Sequence, residues 1–163
     1  MSSKKPTHVQ ESPAYIFLGV KMSIHLSGVQ TGGAFSLIEA TMPPGGDGGL
    51  HVHTQEDESI HLLGRTLHVT IGDDSFTLEA GQSYFAPRTI SHQLRNRGDV
   101  PARALLITTP GNFDEFVCRA GIPIGQQSPL PSVPGDAYVQ QLPALAEEFG
   151  IKILAAPEQP ARI

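Results

Sequence analysis

The chain has 163 residues, enough for one domain with a sizeable core. Its formal charge is −5 and only 17% of its residues are charged, against the usual ~25%; with no cluster of lysine and arginine, it is not expected to bind nucleic acid. No apolar run reaches the ~18 residues of a membrane helix, the polar opening "MSSKKPTHVQESP" lacks an apolar signal core, and the lone Cys118 cannot form an internal disulfide, so a cytoplasmic protein is expected.

Glycine (17 residues) and proline (14) together make up about a fifth of the chain, where about 12% is usual. They are spread along the sequence, which means many turns and points to an all-β sandwich or barrel. Residues 1–13 read as a flexible arm punctuated by Pro6 and Pro13. Residues 14–26 are β-rich and hold two short strands, and residues 34–42 form another. "PPGGDGG" (43–49) then breaks the pattern, because two prolines and four glycines suit neither helix nor central strand. Short strands follow at 50–54, 59–63, 66–71, 75–78, 83–86, 92–95 and 102–108. Leu67, Val69 and Ile71 alternate with Thr66, His68 and Thr70, the pattern of a half-buried strand.

After Pro110 the texture changes. "GNFDEFVCRAG" reads as a helix with Asn112 or Asp114 as N-cap, Phe113, Phe116 and Val117 on one face, and Gly121 at its end. Residues 122–136 read as a proline-rich extended linker. "LPALAEEFG" is a short helix with Pro143 near its start and Gly150 at its end, and "IKILAAP" is a further strand. The expected organisation is the arm (1–13), a β-barrel core (14–110) and a C-terminal extension of helix, linker and helix–strand packed on the barrel (111–163).

One stretch concentrates chemistry: "GGLHVHTQEDES", residues 48–59. On a strand, positions i and i+2 face the same way, so His51 and His53 aim two imidazoles at one point. Glu58 follows after a turn, and His92 arrives later in "GQSYFAPRTISHQLRN". Three neutral imidazoles and a carboxylate suit a divalent first-row metal and leave coordination positions for water or substrate.

These residues carry a resemblance. Gly45, His51-x-His53, Glu58 and Gly64 resemble the first motif of the cupin superfamily; Gly81, Pro87, His92 and Asn96 resemble the second. The match covers roughly residues 31–110. It departs from the family in having Thr89 where a glycine usually stands two residues after the motif proline. Family spacing also varies before the acid, so Asp57 competes with Glu58; Glu58 keeps Gly64 in register and reaches farther. The resemblance implies an all-β cupin sandwich or barrel, of the double-stranded β-helix or jelly-roll type, with short C-terminal helices. It further implies one divalent transition metal per chain (Fe, Mn, Ni, Co or Zn) on His51, His53, Glu58 and His92. A homodimer is also expected by resemblance, with the N-terminal strands as donors.

The remaining histidines read differently. His61 is three past Glu58 and so faces the other way, as a structural or interface residue. His68 opposes Leu67 and Val69, His25 lies in the N-terminal strands, and His8 in the arm. Cys118 reads as a small buried hydrophobe, and Phe113 and Phe116 as ordinary helix-to-sheet packing, with capping of the barrel mouth as the alternative. Ile60, Leu62, Phe35, Leu37 and Phe85 are candidate walls of an apolar cup, Tyr84 and Gln93 its polar contacts, and Arg88 a solvent-facing cation. Such a cup suits a small apolar or aromatic substrate better than a sugar phosphate.

The runs "TGGAFSLIEATMPPGGDGGLHVHTQEDES", "TPGNFDEFV" and "LAEEFGIKIL" look like bacterial single-domain cupins grouped with the quercetin 2,3-dioxygenases. That likeness implies a metal-dependent dioxygenase acting with O2 on a flavonol-like or enolic aromatic substrate, with Glu58 as both ligand and base. A non-redox polyketide cyclase or isomerase, and a non-catalytic small-molecule binder, remain as alternatives.

Overall fold

The computed structural model describes residues 12–125 and 136–155. The expected arm up to residue 11, with His8, and residues 126–135 of the expected linker lie outside the described residues. The strands are β1 (Ala14–Phe17), β2 (Val20–Leu26), β3 (Ser36–Met42), β4 (Leu50–His53), β5 (Asp57–Gly64), β6 (Thr66–Ile71), β7 (Asp74–Glu79), β8 (Ser83–Ala86), β9 (His92–Arg95), β10 (Ala102–Thr109), β11 (Ile122–Ile124) and β12 (Ile151–Ala155). The helices are α1 (Phe113–Ala120), between β10 and β11, and α2 (Asp136–Glu148), before β12.

Two antiparallel sheets form the body. One runs β11-β1-β2-β3-β10-β5-β8, the other β12-β4-β9-β6-β7. Period-two alternation places Val20, Met22, Ile38, Ala40, Leu62 and Leu106 on the inner face of the first sheet, and Leu67 and Val69 on that of the second; all are buried. The chain crosses between sheets at the corner joining β4 to β5, residues 54–56.

The C-terminal region departs from its reading as linker and short helix. Residues 122–124 are a strand, pairing antiparallel with β1, and Pro123 is tolerated because β11 is an edge. Helix α2 begins at Asp136, so Pro143 lies inside it and not near its start. An interior proline costs about 3 kcal/mol. Burial of Leu142, Ala146 and Phe149 along the same segment offsets it, since each large apolar side chain contributes about 1.5–3 kcal/mol. Gly150 then turns the chain with φ +70°, and its backbone passes so close to the β4–β5 corner that a Cβ would meet Thr54 Oγ1 at 2.8 Å. There the Gly150 carbonyl accepts hydrogen bonds from the Thr54 N–H (2.8 Å) and hydroxyl (2.6 Å). β12 continues alongside β4, with Ile151 opposite His53 and Ile153 opposite His51.

Thr89 has φ +72°, the left-handed region that a β-branched residue adopts only under strain. The turn is held because the Thr89 N–H donates to the His53 carbonyl at 2.7 Å. Here a glycine keeps the hydrogen bond and removes the Cβ clash, which is worth about 1–2 kcal/mol before glycine's own entropic cost of about 0.5–1 kcal/mol. Thr89→Gly is therefore expected to stabilise the fold by about 0.5–1 kcal/mol, read as a higher denaturant midpoint at unchanged slope. A lower midpoint contradicts the strain assigned to this turn.

Candidate metal centre

The glycine–proline loop before β4 is fastened before it delivers the histidines. Asp47 is buried; its Oδ1 accepts hydrogen bonds from the Gly49 N–H (2.8 Å) and from Gln93 Nε2 (2.7 Å), while Oδ2 accepts from Arg95 Nε (3.1 Å). Asn96, also buried, donates from Nδ2 to the Met42 and Val100 carbonyls. Its own backbone exchanges hydrogen bonds with Gly45 and Gly46. This fixes where β4 starts, and hence which face His51 and His53 take.

His51 lies directly opposite His92 in the β4–β9 pair, and their rings are 4.4 Å apart between centroids. His53 stacks nearly parallel to His92, at 5.4 Å and 8°. Glu58 reaches in from the other sheet. Its Oε2 is 2.9 Å from His92 Nε2 and 3.2 Å from His53 Nε2. One ligand atom from each of His51, His53, Glu58 and His92 lies within 4.8 Å of all the others. His53, Glu58 and His92 are buried, and His51 is the half-buried member, facing a cavity.

The local chemistry fits a cation. His51 Nδ1–H donates to the Gly49 carbonyl at 2.9 Å, which leaves Nε2 with a free lone pair. His53 Nε2 is buried and, despite its closeness to Glu58, makes no hydrogen bond of acceptable geometry. An orphaned buried nitrogen among three more donors is what a metal would satisfy. Asp57, the competing acid, is turned outward. Arg88 grips it through Nε (3.1 Å) and Nη2 (3.0 Å), while the Arg88 N–H donates to the same carboxylate.

Electrostatics divide the set. Burial, reinforced by the neighbouring imidazoles, pushes His51 down to about 3, so it is neutral. Burial also works against charge on His53, but hydrogen-bonding contact with Glu56 and Glu58 and their charges outweigh it, raising His53 to about 9. Glu58 is held well below the ordinary range: burial opposes its ionisation, and the charge of His92 together with the contacts from His53 and His92 overcomes that penalty.

The cavity at this centre has a volume of about 100 Å³ open to the centre of a water molecule. Among the described residues, His51, Glu58 and His92 are the only polar side chains lining it; the remaining wall includes Val20, Met22, Leu106, Phe113, Leu142 and Ile153. The proposed wall residues are corrected accordingly. Even-numbered positions of β3 point inward, so Phe35 and Leu37 fall on the wrong parity and are only half-buried. Phe85 is 57% exposed beside the buried Ala86. Ile60 and Leu62 do point inward but pack in the core without lining the cavity. Tyr84 and Gln93 do not reach it either: the Tyr84 hydroxyl is buried without a hydrogen-bond partner among the described residues, and Gln93 serves Asp47.

Three further features differ from the sequence reading or extend it. Phe113 and Phe116 line the cavity as well as packing in the core, and the Phe113 ring meets His53 edge-on at 5.3 Å. Asn112 caps α1 without a side-chain hydrogen bond, and Asp114 accepts from the Gly28 N–H instead. Cys118 is half-buried, not buried, and adjoins Tyr15. The acid that receives the first N–H of α1 is Glu56, which sequence reasoning missed. His25, His61 and His68 lie away from the centre; His25 contacts Glu39 and His61 contacts Ser83.

Comparison with known proteins agrees with this arrangement. The Cupin domain signature matches residues 38–108. The tetracenomycin polyketide synthase protein TcmJ of Streptomyces glaucescens is 30% identical over 110 residues, covering 68% of this chain and 69% of TcmJ. The chain belongs to the cupin family. An uncharacterized protein of Methanocaldococcus jannaschii, MJ1618, is 33% identical over 76 residues, which is 46% of this cupin and only 60% of that protein's length. Among solved structures, a predicted oxalate decarboxylase from Thermotoga maritima superposes with a TM-score of 0.57 at 24% identity, over 64% of this chain and 99% of that one; it shares the fold. No helix among the described residues is long and apolar enough to cross a membrane.

A metal ion must compete with the proton on His53. Between pH 6 and 8, zinc uptake is expected to displace the proton on His53 and release it to solvent, so affinity should rise with pH and flatten as the pH approaches the raised value of about 9. His51, already neutral, and Glu58, already ionised, release none. Titration calorimetry in two buffers of different protonation enthalpy measures this. Zinc affinity independent of pH across that range contradicts the charge assignment.

Proposed function

We propose that this cupin is a mononuclear metal-dependent dioxygenase whose substrate is an enolic, largely apolar molecule of flavonol or related type. The observation carrying this reading is a cavity whose wall, among the described residues, is apolar except at three of the four candidate ligands, His51, Glu58 and His92. His51, His53, Glu58 and His92 would hold the ion, and Glu58 would also be the base. A redox-active divalent metal there would supply Lewis acidity toward a substrate hydroxyl and electron exchange with O2.

The chain's own residues would do the rest. Phe113, Phe116, Leu142 and Ile153 contact the apolar body of the substrate and keep bulk water from the polar end. Among the described residues no Lys or Arg lines the cavity, so a phosphorylated substrate would bring unpaired charge into it. Glu58, ionised and lining the cavity, takes the proton of the substrate hydroxyl, and the imidazoles around it accommodate the change in charge.

A second reading is favoured by the likeness to TcmJ, whose name ties it to a polyketide synthase. There the same proton abstraction would serve a non-redox ring closure of a polyketide-like enol, without O2. Oxygen-electrode assays with flavonol, catechol and 1,3-diketone probes separate the two. The dioxygenase reading expects O2 uptake by the iron-, manganese-, cobalt- or nickel-loaded protein, reduced at least about 100-fold in His92→Ala and Glu58→Gln. Turnover of the same probes at equal rate under anaerobic conditions would sink it in favour of the second reading.

A further inference from the structure

The geometry points to Glu56 as a positioning residue that orients His53 for the metal and locks the cavity wall at Phe113 to that ligand. The inference rests on the metal-centre reading above and concerns a residue outside the four-ligand set.

Glu56 is 2% exposed, in the corner where the chain passes from β4 to β5. A buried carboxylate needs compensation, and its two oxygens have different partners. Oε2 accepts the backbone N–H of Phe113 at 3.0 Å, so Glu56 caps α1 where Asn112 offers no side-chain bond. Being anionic, it also suits the positive end of the helix. Oε1 faces His53 Nδ1 at 3.5 Å. Both of these atoms are buried, and neither has a hydrogen-bond partner among the described residues. A shift of about 0.6–0.8 Å from 3.5 Å would make them a charge-assisted bond of about 2.7–2.9 Å.

Ligation explains why the pair is arranged this way. His53 Nε2 faces Glu58 and the other imidazoles, so Nε2 must give its lone pair to an ion and Nδ1 must carry the proton. Glu56 Oε1 is the acceptor placed for that proton. A carboxylate behind a ligating imidazole fixes the tautomer and strengthens the donor. Phe113 closes the triangle, since its N–H is held by Glu56, its ring packs on His53, and it lines the cavity. Asp57, the next residue, supplies a contrast: it has the same charge but is paired with Arg88 and takes no part in the centre.

Glu56→Gln separates charge and acceptor chemistry from shape. If the amide oxygen keeps the Phe113 N–H, the amide NH2 faces His53 Nδ1 and favours the tautomer with the proton on Nε2, which cannot ligate. The expected result is a zinc dissociation constant about 10- to 100-fold higher than wild type, by competition with a chromophoric chelator. The visible spectrum of the cobalt-loaded variant should shift as well. Asp57→Asn removes the same charge one residue away and should stay within about twofold, with an unchanged cobalt spectrum. In zinc-loaded wild type, the His53 Nδ1 proton should give a sharp, slowly exchanging resonance with a contact to Glu56, a readout that does not depend on any variant folding.

Wild-type zinc affinity in Glu56→Gln overturns the inference. Equal losses in Glu56→Gln and Asp57→Asn overturn it too, because the effect is then one of general charge. A rapidly exchanging His53 Nδ1 proton does the same. Wild-type protein that binds no zinc would instead overturn the metal centre itself, and the inference with it.

Discussion

A carboxylate buried between two sheets has to be compensated, and the rest of this structure follows from how that is done. Glu58 comes from the seven-stranded sheet and meets His51, His53 and His92 from the five-stranded one. Desolvation alone would drive Glu58 toward its neutral form. It stays ionised because imidazoles stand within about 3 Å, and one of them, His53, is held in its charged form by two carboxylates. A divalent ion bound there would replace that proton with a stronger and better-directed charge, so the requirements of folding and of ligation would coincide in the same four side chains.

The elements around the family core give this centre its surroundings. The signature spans residues 38–108, yet much of the cavity wall comes from outside it: Val20 and Met22 before, Phe113, Leu142, Ile151 and Ile153 after. β12 runs beside the strand that carries His51 and His53, and Gly150 pins the corner that carries Glu56. The strand of the candidate ligands is therefore packed by the segment that shapes the cavity. A change in α2 or β12 alters the cavity and the support of these side chains together, in the part of the chain least specified by the family pattern.

The cluster of candidate ligands was legible because it obeys simple rules. Period-two geometry makes His51 and His53 neighbours in space, and the two motif blocks place Glu58 and His92 opposite them. Strand positions from residue 14 to 109 were legible for similar reasons, since turns rich in glycine and proline bracket short β-branched runs. The cavity wall was not, because the parity of β3 had no independent anchor and Phe35 and Leu37 were placed on the inner face. Pro143 misled through its usual role as a helix starter, a local preference that burial of Leu142 and Phe149 overrides. Glu56 escaped because it lies in a corner where strand parity does not apply, and its partners are 57 residues away at Phe113 and three away at His53. Thr89 shows the reverse case: the departure from the family glycine is visible in sequence, and the left-handed turn shows why a glycine usually stands there.

The proposed ion lies where the two sheets meet. Elemental analysis of the purified protein, before and after reconstitution with iron, manganese, cobalt, nickel and zinc, reads its presence directly. About one metal per chain is expected for wild type, with loss of that metal in His51→Ala, whose half-buried side chain can be removed with the least damage to the core. A wild-type protein that retains no ion under any of these conditions, or a His51→Ala protein that retains a full complement, would contradict it.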